Sequence, residues 1–450
     1  MIGPTIGVTA FFGLLVLILR PSIAMGFVVM SMMVWPEFLR IPVGLAAMSA
    51  PRIVAIILIL RLLFMGRHKM VNLFWVDKLV IISWVWIILA TLLLDSDASH
   101  VYQMIGRFFD TVLMYFIARF TFTSSEDVKG FVVPLSITVL FMAYVGVQES
   151  ITAKSIYQFF DSYRIGEYEL SDDDKFRYGF MRAMASTSVS IYFGMAMMVL
   201  AGFSWSVRGY ARNGFIARII FFAGVVGTLS SMSSGPWLGV IILIFFNLFE
   251  MRPGFIKPSL GFVLFLSLLV ELASNRHFYN LIDYVALNPA TAWYRTRLLE
   301  VAFDNLNEFW LVGVGSDMPH HWGAQLDGRV FIDVVNHFLM IGLYGGLPAM
   351  FMYIATHVGA LKRASRAWRG STDPKRRHLL FGLCTTLLAL DFSSMSVGLF
   401  GPVLLLSYIL LGMLVSTAVA WEDTAEDAEE SERKTIDPYE LEQSESFGRE

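Results

Sequence analysis

This sequence has little charge and almost no cysteine. Of its 450 residues, 16% are charged and 56% are hydrophobic, whereas about a quarter of the residues in soluble domains are charged. Apolar runs of roughly 17–25 residues, the length that crosses a lipid bilayer as a helix, recur along the whole chain. The composition therefore excludes an ordinary soluble domain and predicts an all-α, polytopic integral membrane protein.

The single cysteine, Cys384, lies in an apolar run. One cysteine excludes an internal disulfide and argues against a cysteine metal site. The first basic residue is Arg20, so the basic start of a cleaved signal peptide is missing and we expect the first apolar run to be a retained helix. The sequence also lacks a glycine-rich phosphate loop and an internal repeat.

The apolar runs predict about 12–13 transmembrane helices. The first two runs are short and are separated by Arg20-Pro21, so they form either a hairpin or one broken helix. The predicted helices lie at residues 5–19, 22–35, 50–66, 77–95, 102–121, 128–149, 184–206, 215–232, 236–250, 258–273, 336–361, 378–393 and 400–419.

Lysine and arginine in the loops predict the orientation, because cytoplasmic loops are enriched in both residues. The basic segments, which are predicted to be cytoplasmic, lie at 61–78, 208–218, 252–257 and 362–377. The loops at 150–183 and 274–335 are then external, and the second is a large external loop.

Residues 1–420 are predicted to form the membrane-embedded domain, which includes both external loops. Residues 421–450 are rich in Asp, Glu and Ser and have no hydrophobic period. Such a segment cannot bury enough apolar surface to fold, so we predict a disordered acidic cytoplasmic tail.

Arginine is unexpectedly common in the predicted external loops. Its planar guanidinium binds phosphate oxygens through two hydrogen bonds at once, so a cluster of arginines favours a site for a lipid diphosphate. The alternative is surface ion pairing with nearby Asp and Glu. The external arginines are Arg164, Arg177, Arg182, Arg276, Arg295, Arg297 and Arg329.

Helical spacing separates two of these arginines. If the segment around Arg295 is helical, residues two apart lie on opposite faces. Arg295 then shares an apolar face with Leu298 and Ala302. Arg297 can instead pair with Glu300 at i+3. The charge on the apolar face is less easily explained, so Arg295 is the preferred phosphate ligand.

Two further polar features have open interpretations. The sequence Ser233-Ser234-Gly235-Pro236-Trp237 is typical of a helix start, which attracts phosphate, or of a simple tight turn. Arg107 and Asp110 lie at i,i+3 inside a predicted helix. They form either an ion pair with each other or part of the functional site.

His337 follows Asp333 and Asn336 where the large external loop runs into a predicted helix. A histidine at this place is a candidate general base for an acceptor hydroxyl, and Asp333 at i−4 could orient it and raise its basicity. The alternative is an interfacial histidine that only forms hydrogen bonds.

No metal site and no cofactor are predicted. His320 and His321 are adjacent in a loop, and adjacent histidines rarely chelate one metal, so both are interpreted as loop residues. The acidic run Asp172–Asp174 could bind a divalent cation, but a solvated acidic loop is the preferred interpretation.

The layout resembles the O-antigen ligase and polysaccharide polymerase superfamily, whose members are polytopic and have a large external loop before the last few helices. The similarity covers roughly residues 176–346. FRYGF at 176–180 resembles the family's Arg-x-Gly-Phe start of a helix.

Further motifs follow in the family's order. SSGPWLG at 233–239 resembles the Ser-Arg-Gly-x-x-x-Gly turn, with Ser234 in place of the arginine. Arg295 and Leu299 resemble the Arg-x-x-x-Leu loop motif, and VGVG at 312–315 resembles the Gly-x-Gly that follows it.

The ligase signature His-Asn-x9-Gly aligns with Val335-Asn336 and Gly346. Val335 replaces the signature histidine, and a histidine stands two positions later as His337. This departure favours a polymerase over a ligase.

The resemblance implies a membrane glycosyltransferase that uses undecaprenyl-diphosphate-linked oligosaccharide as donor. We expect a polysaccharide polymerase that transfers glycan to a lipid-linked acceptor repeat unit, without a metal and with inversion at the anomeric carbon. The residues expected to bind substrate are Arg177, Arg182, Arg295 and Asn336, and those expected to be catalytic are His337 and Asp333.

Two alternatives stay open, an O-antigen ligase that moves glycan to the lipid A core or a protein, and a lipid-linked oligosaccharide flippase or transporter. Transporters usually keep charges near the midplane and often show repeats, whereas the polar residues here concentrate in an external loop.

The expected location is the bacterial inner (cytoplasmic) membrane, with the active site facing the periplasm and the C-terminal tail in the cytoplasm. The expected partners are the lipid bilayer and a chain-length regulator or export complex, and no nucleic acid.

Overall fold

The computed structural model describes residues 2–43, 46–94, 97–163, 175–250, 252, 289–315, 319–329 and 332–435. The predicted helix at 258–273 and the residues Arg164, Asp172–Asp174 and Arg276 lie outside these ranges. The loop predicted at 274–335 is described in part, from residue 289 onward.

α-Helices make up most of the described chain. Every predicted helix that falls within the described residues is present, and most ends differ by a few residues. Three ends differ by more: the helix predicted at 184–206 begins at Ser190, the one predicted at 336–361 ends at Gly370, and the one predicted at 400–419 ends at Thr435. The helices are α1 (Ile2–Ile18), α2 (Pro21–Val34), α3 (Ala50–Phe64), α4 (Trp75–Leu94), α5 (Ala98–Thr121), α6 (Ser125–Thr152), α7 (Ser190–Ser206), α8 (Gly214–Ser230), α9 (Ser234–Leu248), α10 (Pro289–Asp304), α11 (Leu306–Phe309), α12 (His337–Gly370), α13 (Pro374–Ser394) and α14 (Gly401–Thr435).

Five described segments are long and apolar enough to cross a membrane. Two of them, in α7 and α14, are the most deeply buried and form the centre of the bundle. α14 packs against α5, and α7 packs against α8, α13 and α14. The five segments are Trp75–Leu94, Ser125–Thr152, Ser190–Tyr210, His337–Gly370 and Gly401–Val419.

Short strands depart from the all-α prediction. β1 (Arg40–Val43) pairs with β2 (Ala46–Ser49) in an antiparallel hairpin between α2 and α3. β3 (Phe176–Arg177) pairs with β4 (Phe180–Met181) in a second antiparallel hairpin before α7. Strands of two to four residues carry too little alternating pattern for a sequence-based prediction to detect.

The second hairpin replaces a predicted helix start. Tyr178 (φ 52°) and Gly179 (φ 82°) connect its strands, and a two-residue type I′ turn requires positive φ at both positions. The motif FRYGF is therefore a hairpin, and the helix predicted from residue 184 begins at Ser190.

The predicted tail begins inside a helix. α14 continues to Thr435, so the backbone of 421–435 is helical where we predicted disorder. Alanine and glutamate recur in this stretch, and both have high helix propensity. A helix that is already folded in the bundle can extend into such a sequence without a new nucleation step.

α12 is broken near its start. Gly345 (φ −148°, ψ 22°) and Gly346 (φ 73°, ψ −177°) leave the helical region. The break folds the first part of α12 back on the second, since the rings of His337 and Tyr353 lie 5.3 Å apart. Along a straight helix, residues separated by sixteen positions would lie about 24 Å apart. The long continuous part of α12 thus begins after the break, at residue 347.

Two glycines join the loop to this break. Gly313 (φ 82°) and Gly346 (φ 73°) both have left-handed backbone. A Cβ on Gly313 would lie 2.3 Å from the carbonyl oxygen of Leu343, and a Cβ on Gly346 would lie 2.2 Å from that of Leu311. Only glycine fits a contact this close.

Backbone hydrogen bonds close the same contact. The Val314 N–H donates to the Leu343 carbonyl (2.7 Å), and the Leu347 N–H donates to the Trp310 carbonyl (2.9 Å). We call this junction of 310–314 with 343–347 the glycine contact. It brings together the loop motif VGVG and the motif glycine Gly346, which are far apart in sequence.

We predict that Gly313→Ala and Gly346→Ala each destabilise the protein. A non-glycine residue in left-handed backbone costs about 1–3 kcal/mol, and the added Cβ meets a carbonyl oxygen as well. Gly370→Ala at the end of α12 is the control, because its Cβ position is open. The measurement is the thermal unfolding midpoint in detergent. Equal midpoints for Gly346→Ala and Gly370→Ala would contradict this role for the glycine contact.

Candidate functional site

Charged residues converge where the β3–β4 hairpin, α10 and the start of α12 meet. Arg295 of α10 lies close enough to Arg177 of β3 and to Asp333 for their charges to act on it. Asp333 in turn lies near Arg295 and Arg329. We call these residues, Arg177, Arg295, Arg329 and Asp333, the arginine cluster.

The hairpin arginines bind the turn before α9. Nη1 of Arg177 donates to the Met232 carbonyl (2.9 Å). Nη2 of Arg182 donates to Oγ of Ser233 (3.2 Å). Both predicted substrate-binding residues of this hairpin therefore lie at one helix start, and Arg177 also belongs to the arginine cluster.

The helix start predicted at Ser233-Ser234-Gly235 is confirmed, since α9 begins at Ser234. Ser233 occupies the N-cap position, but its side chain makes no capping hydrogen bond. Its hydroxyl instead donates to the Ser231 carbonyl (3.0 Å). The N-terminus of α9, which carries partial positive charge, therefore lies beside Arg182.

Arg295 lies on the face of α10 whose neighbours Leu298 and Ala302 are buried, as the helical spacing predicts. Its Nε is buried and has no hydrogen-bond partner within the described residues. Burial and the neighbouring Arg177 lower the pKa of Arg295, whereas Asp333 opposes them. Two neighbouring guanidiniums repel each other, so an anion between them would be stabilised.

Arg297 has the partner that its spacing predicts. Its Nη1 donates to Glu300 at i+3 (2.8 Å), and both side chains are exposed. The ion-pair interpretation of Arg297 is confirmed, and the two arginines of α10 differ in surroundings as expected.

Asp333 is held through its backbone. The Tyr294 hydroxyl donates to the Asp333 carbonyl (2.9 Å) and accepts from the Asp333 N–H (3.1 Å). The Arg329 guanidinium stacks on the Tyr294 ring, 4.4 Å from its centroid. Asp333 is exposed to solvent, and the protein around it desolvates its carboxyl only in part. This desolvation raises the pKa of Asp333, against the opposing charges of Arg295 and Arg329.

The predicted link between Asp333 and His337 is not observed. Residues 332–336 are not helical, and α12 begins at His337, so the i−4 spacing does not bring the two side chains onto one helix face. Nδ1 of His337 instead accepts the Leu399 N–H (3.3 Å). Asp333 therefore lies with the arginines, and the described hydrogen bond of His337 goes to a different part of the chain.

The same hydrogen bond determines which nitrogen of the His337 ring carries the hydrogen. An Nδ1 that accepts a hydrogen bond carries no hydrogen, so the hydrogen of the neutral ring is on Nε2. Nε2 is buried without a hydrogen-bond partner among the residues that the structure describes, and the whole residue is 1% exposed. His337 therefore has a buried N–H donor at Nε2, and its basic nitrogen, Nδ1, already accepts a hydrogen bond.

Asn336 caps α12. Its side-chain oxygen accepts the Leu339 N–H (3.0 Å), which satisfies one of the free N–H groups at the helix start. The predicted role in substrate binding thus competes with a structural role that already uses this oxygen.

Arg107 and Asp110 do not pair with each other. Both carboxylate oxygens of Asp110 accept from Arg52 (2.6 Å each). Arg107 donates to the Tyr344 hydroxyl (2.7 Å) and lies over the Tyr344 ring. Because Tyr344 stands beside the break in α12, Arg107 faces the region of the glycine contact.

Sequence reasoning missed Glu37, in the loop after α2. Its carboxylate accepts from the Ser188 hydroxyl, and burial raises the pKa of Glu37 against this hydrogen bond. Glu37 and Asp333 both lie near Tyr192 of α7, so two carboxylates flank one tyrosine. A single acid in a loop has no periodic signal, and only the folded chain brings it to this place.

The adjacent histidines are loop residues, as predicted. Nε2 of His321 lies 2.8 Å from Glu308, and both histidines belong to a 3₁₀ turn, His320–Gln325. In the described ranges, no group of three or more His, Cys, Asp and Glu side chains is arranged to hold a metal ion.

A comparison with models of known protein families finds no match, and a comparison with curated protein sequences also finds none. The geometry of the arginine cluster and the motif resemblance are therefore the two grounds on which a function rests.

We predict that Arg295→Lys weakens the binding of inorganic pyrophosphate about ten- to a hundredfold, because lysine keeps the charge but loses the planar pair of donors. Arg297→Lys is the matched control on the same helix and should bind as the wild type does, because Arg297 is already paired with Glu300. The measurement is calorimetric titration of each purified variant. Equal affinities in all three proteins would remove Arg295 as an anion ligand.

Proposed function

We propose that the protein is a polytopic membrane glycosyltransferase of the bacterial inner membrane, a polysaccharide polymerase. It transfers glycan from an undecaprenyl-diphosphate-linked oligosaccharide to a lipid-linked acceptor repeat unit at the periplasmic face. The observation that carries the proposal is that Arg295, with an unpartnered Nε among the described residues, lies beside both Arg177 and Asp333.

Arg295 and Arg177 hold the diphosphate of the donor. Each guanidinium can form two parallel hydrogen bonds to phosphate oxygens. When the bond between the sugar and the diphosphate breaks, negative charge grows on the leaving diphosphate, and fixed positive groups stabilise that charge. Arg182 and the start of α9 add further positive potential at the same place.

Asp333 is the base that takes the proton of the acceptor hydroxyl. Its carboxylate lies near Arg295, where the leaving group is held, and its raised pKa makes it a stronger base than an ordinary aspartate. The active form is the carboxylate, so activity should fall as the pH drops through this raised pKa. Attack from the side opposite the diphosphate inverts the anomeric carbon, and no metal is required.

His337 and Asn336 position the start of α12. His337 accepts a hydrogen bond from the Leu399 N–H of the α13–α14 turn, and Asn336 caps the helix by accepting the Leu339 N–H. Both residues then act through the placement of Asp333, which lies three residues before Asn336.

The five long apolar segments support a polytopic arrangement. The lysine and arginine bias of the loops supports an orientation in which the arginine cluster faces the periplasm and α14 ends in the cytoplasm. A chain-length regulator or export complex remains part of the proposal as a partner, since a polymerase must release product of defined length.

A transporter of lipid-linked oligosaccharide is the second candidate, and one observation favours it. His357 and Asp391 form a pair between α12 and α13, and ionisable pairs inside membrane bundles often belong to transport pathways. Formation of a glycosidic bond distinguishes the enzyme from a transporter, and the identity of the acceptor distinguishes a polymerase from an O-antigen ligase.

For orientation, we predict that a cysteine at Gln325 reacts with an impermeant thiol reagent in intact cells, whereas one at Ser371 does not. Cys384→Ser provides the background without other cysteines. Gln325 is exposed in the loop before α12, and Ser371 follows the other end of α12. Labelling of Ser371→Cys alone would reverse the proposed orientation.

For catalysis, we predict that Asp333→Asn lowers the rate of polymer growth by about 10²–10⁴, the usual effect of losing a general base. Asp304→Asn on α10 is the control, because Asp304 is exposed and should be dispensable. The measurement is polymer length from purified protein and a defined lipid-linked repeat unit, at equal amounts of folded protein.

Glu37→Gln tests the other carboxylate near Tyr192. Loss of growth in Glu37→Gln with normal growth in Asp333→Asn would move the base to Glu37. Normal growth in both variants would contradict the proposed mechanism, and a wild type that elongates no substrate would contradict the proposed function.

A further inference from the structure

A second polar group lies inside the bundle, apart from the arginine cluster. His357 of α12 and Asp391 of α13 face each other, with 3.7 Å between Nε2 and Oδ1, and their side chains are 6% and 16% exposed. Oδ1 of Asp391 has no hydrogen-bond partner within the described part of the chain. Ionisable side chains in an apolar bundle are rare, and they usually mark proton or ion sites.

The backbone determines which nitrogen of His357 can titrate. Nδ1 lies 2.9 Å from the Tyr353 carbonyl oxygen. A carbonyl only accepts, so Nδ1 carries a hydrogen and donates it in every state of the ring. Nε2 is then the nitrogen that gains or loses a proton, and it is the nitrogen that faces Asp391.

The pair lies deep along α12. His357 follows the break by about ten residues, which is about 15 Å along the helix axis. The His357 and Asp391 side chains are largely withdrawn from solvent there. A carboxylate that is largely withdrawn from water is costly unless a positive charge or a proton compensates it.

Aromatic rings connect the pair with the folded-back start of α12. The Tyr353 ring lies 4.2 Å from the His357 ring and 5.3 Å from the His337 ring, measured between centroids. The titratable and charged groups that face the pair or these rings are His337 and Tyr353 of α12, Tyr408 of α14 and Arg107 of α5.

The helices that pack on α13 near Asp391 bring uncharged groups to the contacts at Thr386 and Ser393. α7 faces α13 with Gly202, which packs on Thr386, and α9 faces it with Gly239, which packs on Ser393. α4 contributes Trp84, whose indole donates to the Tyr408 hydroxyl (2.9 Å). His357 is therefore the charge partner that the described residues offer to Asp391.

We propose that His357 and Asp391 form a proton-binding site inside the helix bundle. Nε2 of His357 takes a proton from water and holds it against the Asp391 carboxylate, so the neutral imidazole becomes an imidazolium and the pair becomes an ion pair. On release, the proton returns to water and no other bond changes. Two facing side chains suit a proton, whereas a metal ion needs more ligands than the described residues bring together.

The more exposed member of the pair lies near the end of α13. Asp391 lies one turn before the last residue of α13, Ser394, and its side chain keeps some exposure. The chain that follows Ser394 reaches the start of α12 through the hydrogen bond from Leu399 to His337.

The test is nitrogen NMR of the full-length protein labelled with ¹⁵N-histidine in lipid nanodiscs, over about pH 4–9. His357→Gln assigns the His357 resonances among the eight histidines. We expect His357 to have a hydrogen on Nδ1 at high pH and to gain one on Nε2 as the pH falls. A His357 that keeps one protonation state over the whole range, or that carries its hydrogen on Nε2 at high pH, overturns the proposal.

Asp391→Asn separates proton binding from a merely structural contact. Loss of the carboxylate should move the titration midpoint of His357 to lower pH, because an opposite charge favours the imidazolium. Asp391→Glu should restore the titration, and Asp304→Asn should leave it unchanged. Unaltered resonances of the other histidines show that each variant is folded, and an unmoved midpoint in folded Asp391→Asn contradicts the proposal.

Discussion

The glycine contact is the constraint on which the polar end of the molecule depends. Gly313 packs on the backbone of Leu343, and Gly346 packs on the backbone of Leu311, with no room for a Cβ on either glycine. The chain before this contact carries α10 and Arg295, and the chain after it is the long part of α12. The same left-handed Gly346 lets the start of α12 fold back toward Tyr353. One tight junction thus positions the loop, the helix break and the charged residues together.

The arginine cluster differs from two arginines inside the bundle that are paired with carboxylates. Arg119 is 0% exposed and binds Asp77 at 2.8 Å, and Arg52 binds both oxygens of Asp110. Removing one member of such a pair would leave a buried charge uncompensated, at a cost of about 3–5 kcal/mol. Arg295 differs, because its nearest charged neighbours include another guanidinium. A bundle that pairs its interior charges closely, and leaves positive charge in excess at one end, has the electrostatics of an anion site.

Features that follow from local spacing were predictable from the sequence, and features that follow from tertiary contact were not. Apolar length located the helices, and the i+3 spacing located the pair of Arg297 with Glu300. The break at Gly345 and Gly346 was hidden, because the residues around it read as one apolar helix. The ring orientation of His337 depends on Leu399, which is distant in sequence. A carboxylate such as Glu37 enters the site only through the fold, so spacing arguments could not find it.

α12 links the two polar regions of the molecule. Its folded-back start carries His337, and its long part carries Tyr353 and His357, with the Tyr353 ring packed against both histidines. A proton held at His357 places a positive charge behind this ring, which opposes any positive charge on the His337 side of it. If the start of α12 shifts in response, Asp333 shifts with it, because only residues 334–336 separate them. Linkage then requires the reverse effect, so an anion held at Arg295 must change the proton affinity of His357 by the same factor.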